Sequence, residues 1–270
     1  MKDMRKLICA GVVTAGISIL AGAALAGAEP VKFPTLPKGY LAPGALNAEH
    51  IVAPAPTDGD PRDQTDRAVF QSTRALKDGE RWKLATRDVQ MAPAAMMEAY
   101  SCSIGVKLTA DNAPKLNAIM LRVLGDSMVA NESAKHHFKR LRPFQVAQGE
   151  ICQPTAQVAS SFDYPSGHTV WGWSWALVLA ELAPDQATEI LTRGRAYGQS
   201  RAVCGAHNAS AVEAGAVVAA STFATLHGSP EFRADMDQAR AELAALRAAP
   251  GAENPQACDA EAALIAPSAY

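Results

Sequence analysis

The stretch from Tyr164 to Leu182, YPSGHTVWGWSWALVLAEL, sets the tightest limit on the fold. Pro165, Ser166 and Gly167 are turn and cap residues. The residues that follow, from Val170 and Trp171 through Trp173, Trp175, Leu177 and Leu179 to Ala180, are apolar almost all round. A helix without a polar face has to be buried on every side, so it needs a shell of other elements. That shell reads as helical, because no period-two alternation and no internal repeat occurs. Residues 63–78 and 80–104 read as helices broken at Gly79 and near Pro93. Asp111 is placed to cap a long helix carrying Leu116, Ile119, Met120, Val123, Leu124 and Met128 at three-to-four spacing. That helix is expected to run to Pro143 with a break near Gly125. Residues 144–165 read as a loop, followed by helices at about 167–182, 185–199 and 209–227. A last amphipathic helix opens with Ser229 as cap and Pro230 at its first position. The fold class is all-α, with one helical domain over residues 62–250 and a tail over 251–270.

The first residues have the form of an export leader. Lys2, Arg5 and Lys6 precede a long apolar run that ends in Ala26-Gly27-Ala28, a small-x-small cleavage pattern that places the cut after Ala28. A retained anchor is the alternative, but the run is rich in Ala, Gly, Ser and Thr. Without the leader no later stretch is expected to hold the chain in a membrane. Residues 29–61 carry seven prolines, a density that predicts an extended arm with no helix. Such an arm is long enough to reach a second copy, which leaves a homo-oligomer open. With a formal net charge of −2, the chain lacks the basic balance of a general nucleic-acid binder. Cleavage would remove Cys9 and leave Cys102, Cys152, Cys204 and Cys258 in an oxidising compartment. Four cysteines suit two disulfides, with three pairings open at this point. Their wide spacing excludes a zinc knuckle.

Three short segments carry candidate chemistry. In AKHHFKRLRPF, Lys135 and Arg142 are seven residues apart, which on a continuous helix puts them on nearly one face, about 10 Å apart along the axis. Two such cations suit a multiply charged anion, Arg for paired oxygen contacts and Lys as a point charge. In YPSGHTVW, Ser166 is the expected N-cap, and Gly167 and His168 lie in a first turn whose free N–H groups favour anions. In GQSRAVCGAHNASAVEAG, Ser200-Arg201 is expected to end one helix, with His207 in the turn before the next. Taken singly, these are also an ordinary solvated basic face, a capped core helix and a helix–helix corner.

In order they read Lys, six residues, Arg-Pro; then Pro-Ser-Gly-His; then Ser-Arg, five residues, His. This resembles the tripartite signature of the type-2 phosphatidic acid phosphatase superfamily, which includes the vanadium haloperoxidases. Within it, GQSRAVCGAH, the leader and the chain length resemble the bacterial class A non-specific acid phosphatases. The resemblance implies a single-domain helical bundle of that type and hydrolysis of small phosphate monoesters, with no cofactor and no metal. It makes His207 a nucleophile that forms a phosphohistidine and His168 the acid that protonates the leaving group. Lys135, Arg142, Arg201, Ser166 and Gly167 would bind the phosphoryl oxygens. With the second and third segments meeting around one phosphate, the expected disulfides are Cys152–Cys204 and Cys102–Cys258.

One position departs from the pattern. The family's last element is His, three residues, Asp, and the fourth residue after His207 is Ala211. An Asp there would fix the tautomer of the nucleophile and stabilise its cation, so its absence predicts a weak phosphatase that still binds phosphate. Glu213 is the nearest carboxylate but is turned about 200° from Ala211 along a helix, leaving Asn208 or a backbone carbonyl as stand-ins. The rival functions are a vanadate-dependent haloperoxidase, with His207 as the vanadate ligand, and a phosphate-binding protein that no longer turns over.

Overall fold

The computed structural model describes residues 37–270. The expected leader over residues 1–28, with its cleavage point, lies outside the described residues. From Pro37 onward the chain forms eleven α-helices and, among the described residues, no strand. They are α1 (Ala48–Ile51), α2 (Pro61–Thr73), α3 (Glu80–Arg87), α4 (Pro93–Ile104), α5 (Pro114–Phe138), α6 (Pro143–Val146), α7 (Gly167–Leu182), α8 (Ala187–Cys204), α9 (Ala209–Leu226), α10 (Pro230–Ala248) and α11 (Cys258–Ile265). The apolar helix α7 is the centre of the bundle, packed by α4, α5, α8, α9 and α10. Trp171 and Trp175 on it are fully buried, and Tyr100 of α4 stacks on Trp175. Truncating either tryptophan to alanine would cost about 3–5 kcal/mol. Helices α7 and α8 approach closely because a glycine on each leaves room for the other helix's side chains. A Cβ on Gly172 would lie 2.3 Å from the Tyr197 ring, and one on Gly194 would lie 2.5 Å from the Ala176 Cβ.

Several boundaries differ from the sequence expectation. The proline-rich segment is not wholly extended, because α1 fits between Pro43 and Pro54, where the Asn47 side chain accepts from the Glu49 amide. Residues 38–41 lie along α5, where Asp126 accepts the Tyr40 and Leu41 amides and Arg122 donates to the Lys38 carbonyl. Helix α5 starts at Pro114 rather than at Asp111. Its first free N–H groups are satisfied from across the bundle, with the Glu242 carboxylate of α10 accepting from Lys115 and Leu116. It passes Gly125 unbroken, because a helical glycine costs only about 1 kcal/mol and the flanking residues are anchored on both faces. It stops at Phe138, five residues before Pro143, where Lys139 takes a left-handed conformation. Helix α8 continues through Arg201 to Cys204. Residues 144–165 are irregular apart from the end of α6 and one 3-10 turn at Thr155–Gln157, and the tail contains α11.

Two disulfides join distant elements, Cys102 at the end of α4 to Cys258 at the start of α11, and Cys152 to Cys204. Helix α9 is long and apolar enough to cross a membrane by length and composition, and 56% of that stretch is buried within the bundle.

Candidate active site

The last turn of α5 places Lys135 at 3% exposure, with Nζ donating to the Phe162 carbonyl at 2.6 Å. Arg142 reaches the same place by a different route from the one expected. The chain turns at Lys139 (φ 50°), so Lys135 and Arg142 do not share a helix face; Arg142 stands on extended backbone as the N-cap of α6. Its guanidinium is pinned by carbonyls, Nε donating to Ser161 at 2.7 Å and Nη1 to Ala206 at 2.7 Å. The break occurs where Arg140 turns back against α2, bonding Asp63 at 2.9 Å and Asp66 at 2.8 Å.

Ser166 caps α7 as expected, its side chain accepting from the Thr169 amide. Ser166, Gly167 and Thr169 are buried, while His168 keeps partial exposure. The Gly167 and His168 amides have no hydrogen-bond partner among the described residues. A Cβ on Gly167 would come within 3.3 Å of both Asn131 Nδ2 and Met128 Cε, and 3.9 Å of Lys135 Cε. Glycine therefore lets the positive end of α7 approach the Lys135 side chain closely. Arg201, in the last turn of α8, is fully buried. Its Nη2 donates to the Gln153 side chain, whereas Nε and Nη1 are buried without a partner. Buried guanidinium nitrogens are normally satisfied, so these two mark a place where acceptors are missing.

Gly205 (φ 79°) ends α8, and the Ala206 and His207 amides turn back onto the Arg201 carbonyl. This tight corner points His207, 2% exposed, at Arg142, with its Nε2 3.0 Å from Arg142 Nη1. Its Nδ1 faces the Asp163 carbonyl at 2.7 Å and the Asp163 Oδ1 at 3.0 Å. A guanidinium can only donate, and carbonyl and carboxylate oxygens can only accept. The neutral ring therefore carries its proton on Nδ1 and has its lone pair on Nε2. Burial, then the charges of Arg142, Lys135 and Arg201, hold His207 well below the ordinary histidine range. His168 is likewise held well below it, by its dense surroundings despite the partial exposure and then by Arg201 and His207. Its Nε2 donates to the Val89 carbonyl at 3.0 Å.

The three cations lie in one field without a carboxylate on any of them; their partners are carbonyls, an amide and the His207 ring. Burial and then the Arg142 charge push Lys135 down to about 8 and Arg201 down to about 9. Both remain protonated at neutral and acid pH. Buried cations that repel one another and lack counter-charges form a receptor for a small, multiply charged anion. All the residues expected from the sequence are thus brought together. Among the described residues, no group of three or more His, Cys, Asp and Glu side chains is placed to hold a metal ion.

The sequence reading missed Asp163, which is fully buried. Its carboxylate accepts the Asn208 amide at 3.1 Å and the Asn208 side-chain nitrogen at 2.8 Å, and lies 3.6 Å from Arg140. Burial pushes this carboxyl upward, against the pull of Arg140 and Asn208. Asn208 therefore serves Asp163 rather than His207, and Glu213 is exposed. Of the stand-ins expected for position 211, Asn208 bonds Asp163 instead of the imidazole, while a backbone carbonyl, that of Asp163, does face Nδ1, at 2.7 Å. No local signal marks Asp163, which lies 44 residues from His207 in sequence.

The chain is similar to several known proteins. Residues 116–234, which include every site residue, match the PAP2 superfamily. An acid phosphatase of Zymomonas mobilis subsp. mobilis is 43% identical over 194 residues, 71% of this chain and 74% of that one. A non-specific acid phosphatase of Providencia stuartii is 33% identical over 252 residues, 92% of this chain and all of that one. One from Salmonella typhimurium is 33% identical over 202 residues, 74% of this chain and 81% of that one. Among solved structures, a transmembrane PAP2-type phosphatidylglycerolphosphate phosphatase from Bacillus subtilis aligns with a TM-score of 0.43 at 19% identity, covering 63% of this chain and 87% of that one. With the motifs, the helical architecture and these relatives in agreement, the chain belongs to the PAP2 superfamily and, within it, to the bacterial class A non-specific acid phosphatases.

Proposed function

We propose that this acid phosphatase hydrolyses phosphate monoesters at the Lys135–Arg142–Arg201 cluster through a covalent intermediate on His207. The observation that carries this reading is Arg201. Two of its guanidinium nitrogens are buried and unpartnered, close enough to Arg142 and Lys135 to feel their charges, and Lys135 in turn lies beside the start of α7. A phosphoryl group supplies the missing acceptors. It also draws Arg142 Nη1 from His207 Nε2, which frees the lone pair for in-line attack.

In the first step the Nε2 lone pair forms a bond to phosphorus while the bond to the ester oxygen breaks. That oxygen leaves with its electron pair and takes a proton from His168. In its cationic form His168 holds one proton on Nε2, against Val89, and gives up the one on Nδ1. In the second step water attacks the phosphohistidine and its proton returns to His168. The P–N bond breaks, and the electron pair goes back to Nε2. The three cations and the Gly167 and His168 amides stabilise charge on the equatorial oxygens throughout.

An alkaline quench of protein incubated with labelled p-nitrophenyl phosphate should trap a phosphohistidine, which an acid quench would destroy. His207→Ala should abolish that label. Full labelling of the variant would refute His207 as nucleophile. The basic-apolar-small-residue start of the chain and the two disulfides support export to the periplasm, which fractionation and the intact mass of the mature protein would test.

A further inference from the structure

We propose that Asp163 is the positioning carboxylate of His207, acting from the loop before α7 in place of the side chain that Ala211 lacks. This rests on His207 being the nucleophile. Attack on phosphorus turns the imidazole into a cation, and a buried cation needs a fixed counter-charge. Asp163 Oδ1 stands 3.0 Å from Nδ1, on the far side of the ring from the reacting Nε2. The carboxylate cannot swing away, since Asn208 holds both of its oxygens and Arg140 lies behind it at 3.6 Å.

The surroundings favour negative charge at this point. Asp163 accepts the amide of Asn208, the N-cap of the 18-residue helix α9, where the helix dipole is positive. Arg140 is itself fixed by Asp63, Asp66 and the Ser210 hydroxyl, so its orientation does not depend on substrate. Ala211 sits beside this arrangement. Its carbonyl accepts the Ser166 amide at 2.9 Å, which ties the first turn of α9 to the segment that carries Asp163. The methyl group of Ala211 is fully buried in an apolar cluster with Tyr164, Val170 and Val218. The partner of the nucleophile has thus moved from the first turn of α9 to the facing loop. On this proposal turnover does not depend on a carboxylate at position 211.

A purely structural Asp163, serving only to cap α9, would affect folding and not the balance between binding and turnover. The test is Asp163→Asn, which keeps the volume and one acceptor oxygen but removes the charge. On the full chain with p-nitrophenyl phosphate, kcat should fall about 10²–10⁴-fold, by analogy with the Ser-His-Asp triad, where neutralising the Asp that orients the general-base histidine costs about 10⁴. KM and the inhibition constant of inorganic phosphate should stay within threefold. In wild type, proton–nitrogen NMR should find the His207 Nδ1 proton far downfield, identified by its loss in His207→Asn, and Asp163→Asn should move it upfield. A folded Asp163→Asn with kcat within fivefold of wild type overturns the proposal. If the variant does not fold, the wild-type spectrum decides: a proton on Nδ1 with the downfield shift supports the assignment, and a proton on Nε2 overturns it. Absence of phosphatase activity in wild type would refute the reading of His207 as nucleophile, leaving the spectrum to judge the Asp163 contact.

Discussion

Restoring the family's aspartate by Ala211→Asp should damage this protein rather than improve it. Nδ1 of His207 has one proton and already faces two acceptors, the Asp163 carbonyl and Oδ1. A carboxylate at 211 would enter a fully buried position and compete for that single donor. Two carboxylates sharing one donor stand roughly 5 Å apart, and at an effective dielectric constant of ~20 their repulsion is about 3 kcal/mol. Burial has already pushed Asp163 upward, and a second buried carboxylate beside it would push it further the same way. The penalty follows the sign of a raised carboxyl. It is absent where both folded and unfolded carboxyls are protonated, grows as pH rises through the unfolded value near 4, and is complete above the folded value. Urea unfolding of wild type and variant should therefore show a stability loss of about 3 kcal/mol at pH 7.5 that shrinks toward pH 4, with kcat no higher than wild type. A tenfold gain in kcat with unchanged stability would refute the reasoning, because it would mean that His207 lacks a charged partner.

Other outcomes follow from the same geometry. Arg201→Ala removes charge-assisted bonds worth about 1.5–3 kcal/mol each, so calorimetry should show phosphate binding at least tenfold weaker; unchanged affinity would place the anion elsewhere. Because His168 is held well below its ordinary value in the free site, kcat/KM for an alkyl phosphate should already decline with rising pH below the ordinary histidine range. The bound phosphoryl charge raises His168, so the same limb of kcat should lie at higher pH, and coincident limbs would argue against His168 as the acid. Replacing both Cys152 and Cys204 by serine opens a loop between residues 52 apart, a loss of about 4 kcal/mol in the chain-entropy model. Thermal melts should drop by roughly 8–16 °C. Turnover at room temperature should be retained, because the Cys152 amide still donates to the Cys204 carbonyl and Arg74 still donates to the Ala202 and Val203 carbonyls.

The sequence was most legible where a single physical requirement dominated. A run as apolar as Val170–Ala180 has nowhere to go but the centre, and Ser166 and Ser229 announce their helices because a hydroxyl before a first turn satisfies free amides. The cations and histidines of the candidate site were legible as types in order, because their spacing matches the family signature. What could not be read was how the backbone delivers them. The end of α5 depends on Arg140 finding Asp63 and Asp66 more than 70 residues earlier in the chain, and the start of α5 is capped by Glu242, 127 residues away from Lys115. Asp163 was hidden for the same reason. Along α9 spacing can be counted, whereas Asp163 stands on a loop with no period.

The break after Phe138 has a consequence for how this pocket responds to change. Had Lys135 and Arg142 ridden on one continuous helix, their separation would be fixed by the helical repeat, and a one-residue slip would rotate both together by about 100°. With the chain turned at Lys139, the two are hinged pieces. A slip in α5 carries Lys135 away, while Arg142 stays where Ser161, Ala206 and the Gln145 cap hold it. The width of the cationic cradle is therefore set by the short span from Lys139 to Leu141 and by the clamp of Arg140 on α2. Changes of length in that span would alter which anions fit without disturbing the core beneath.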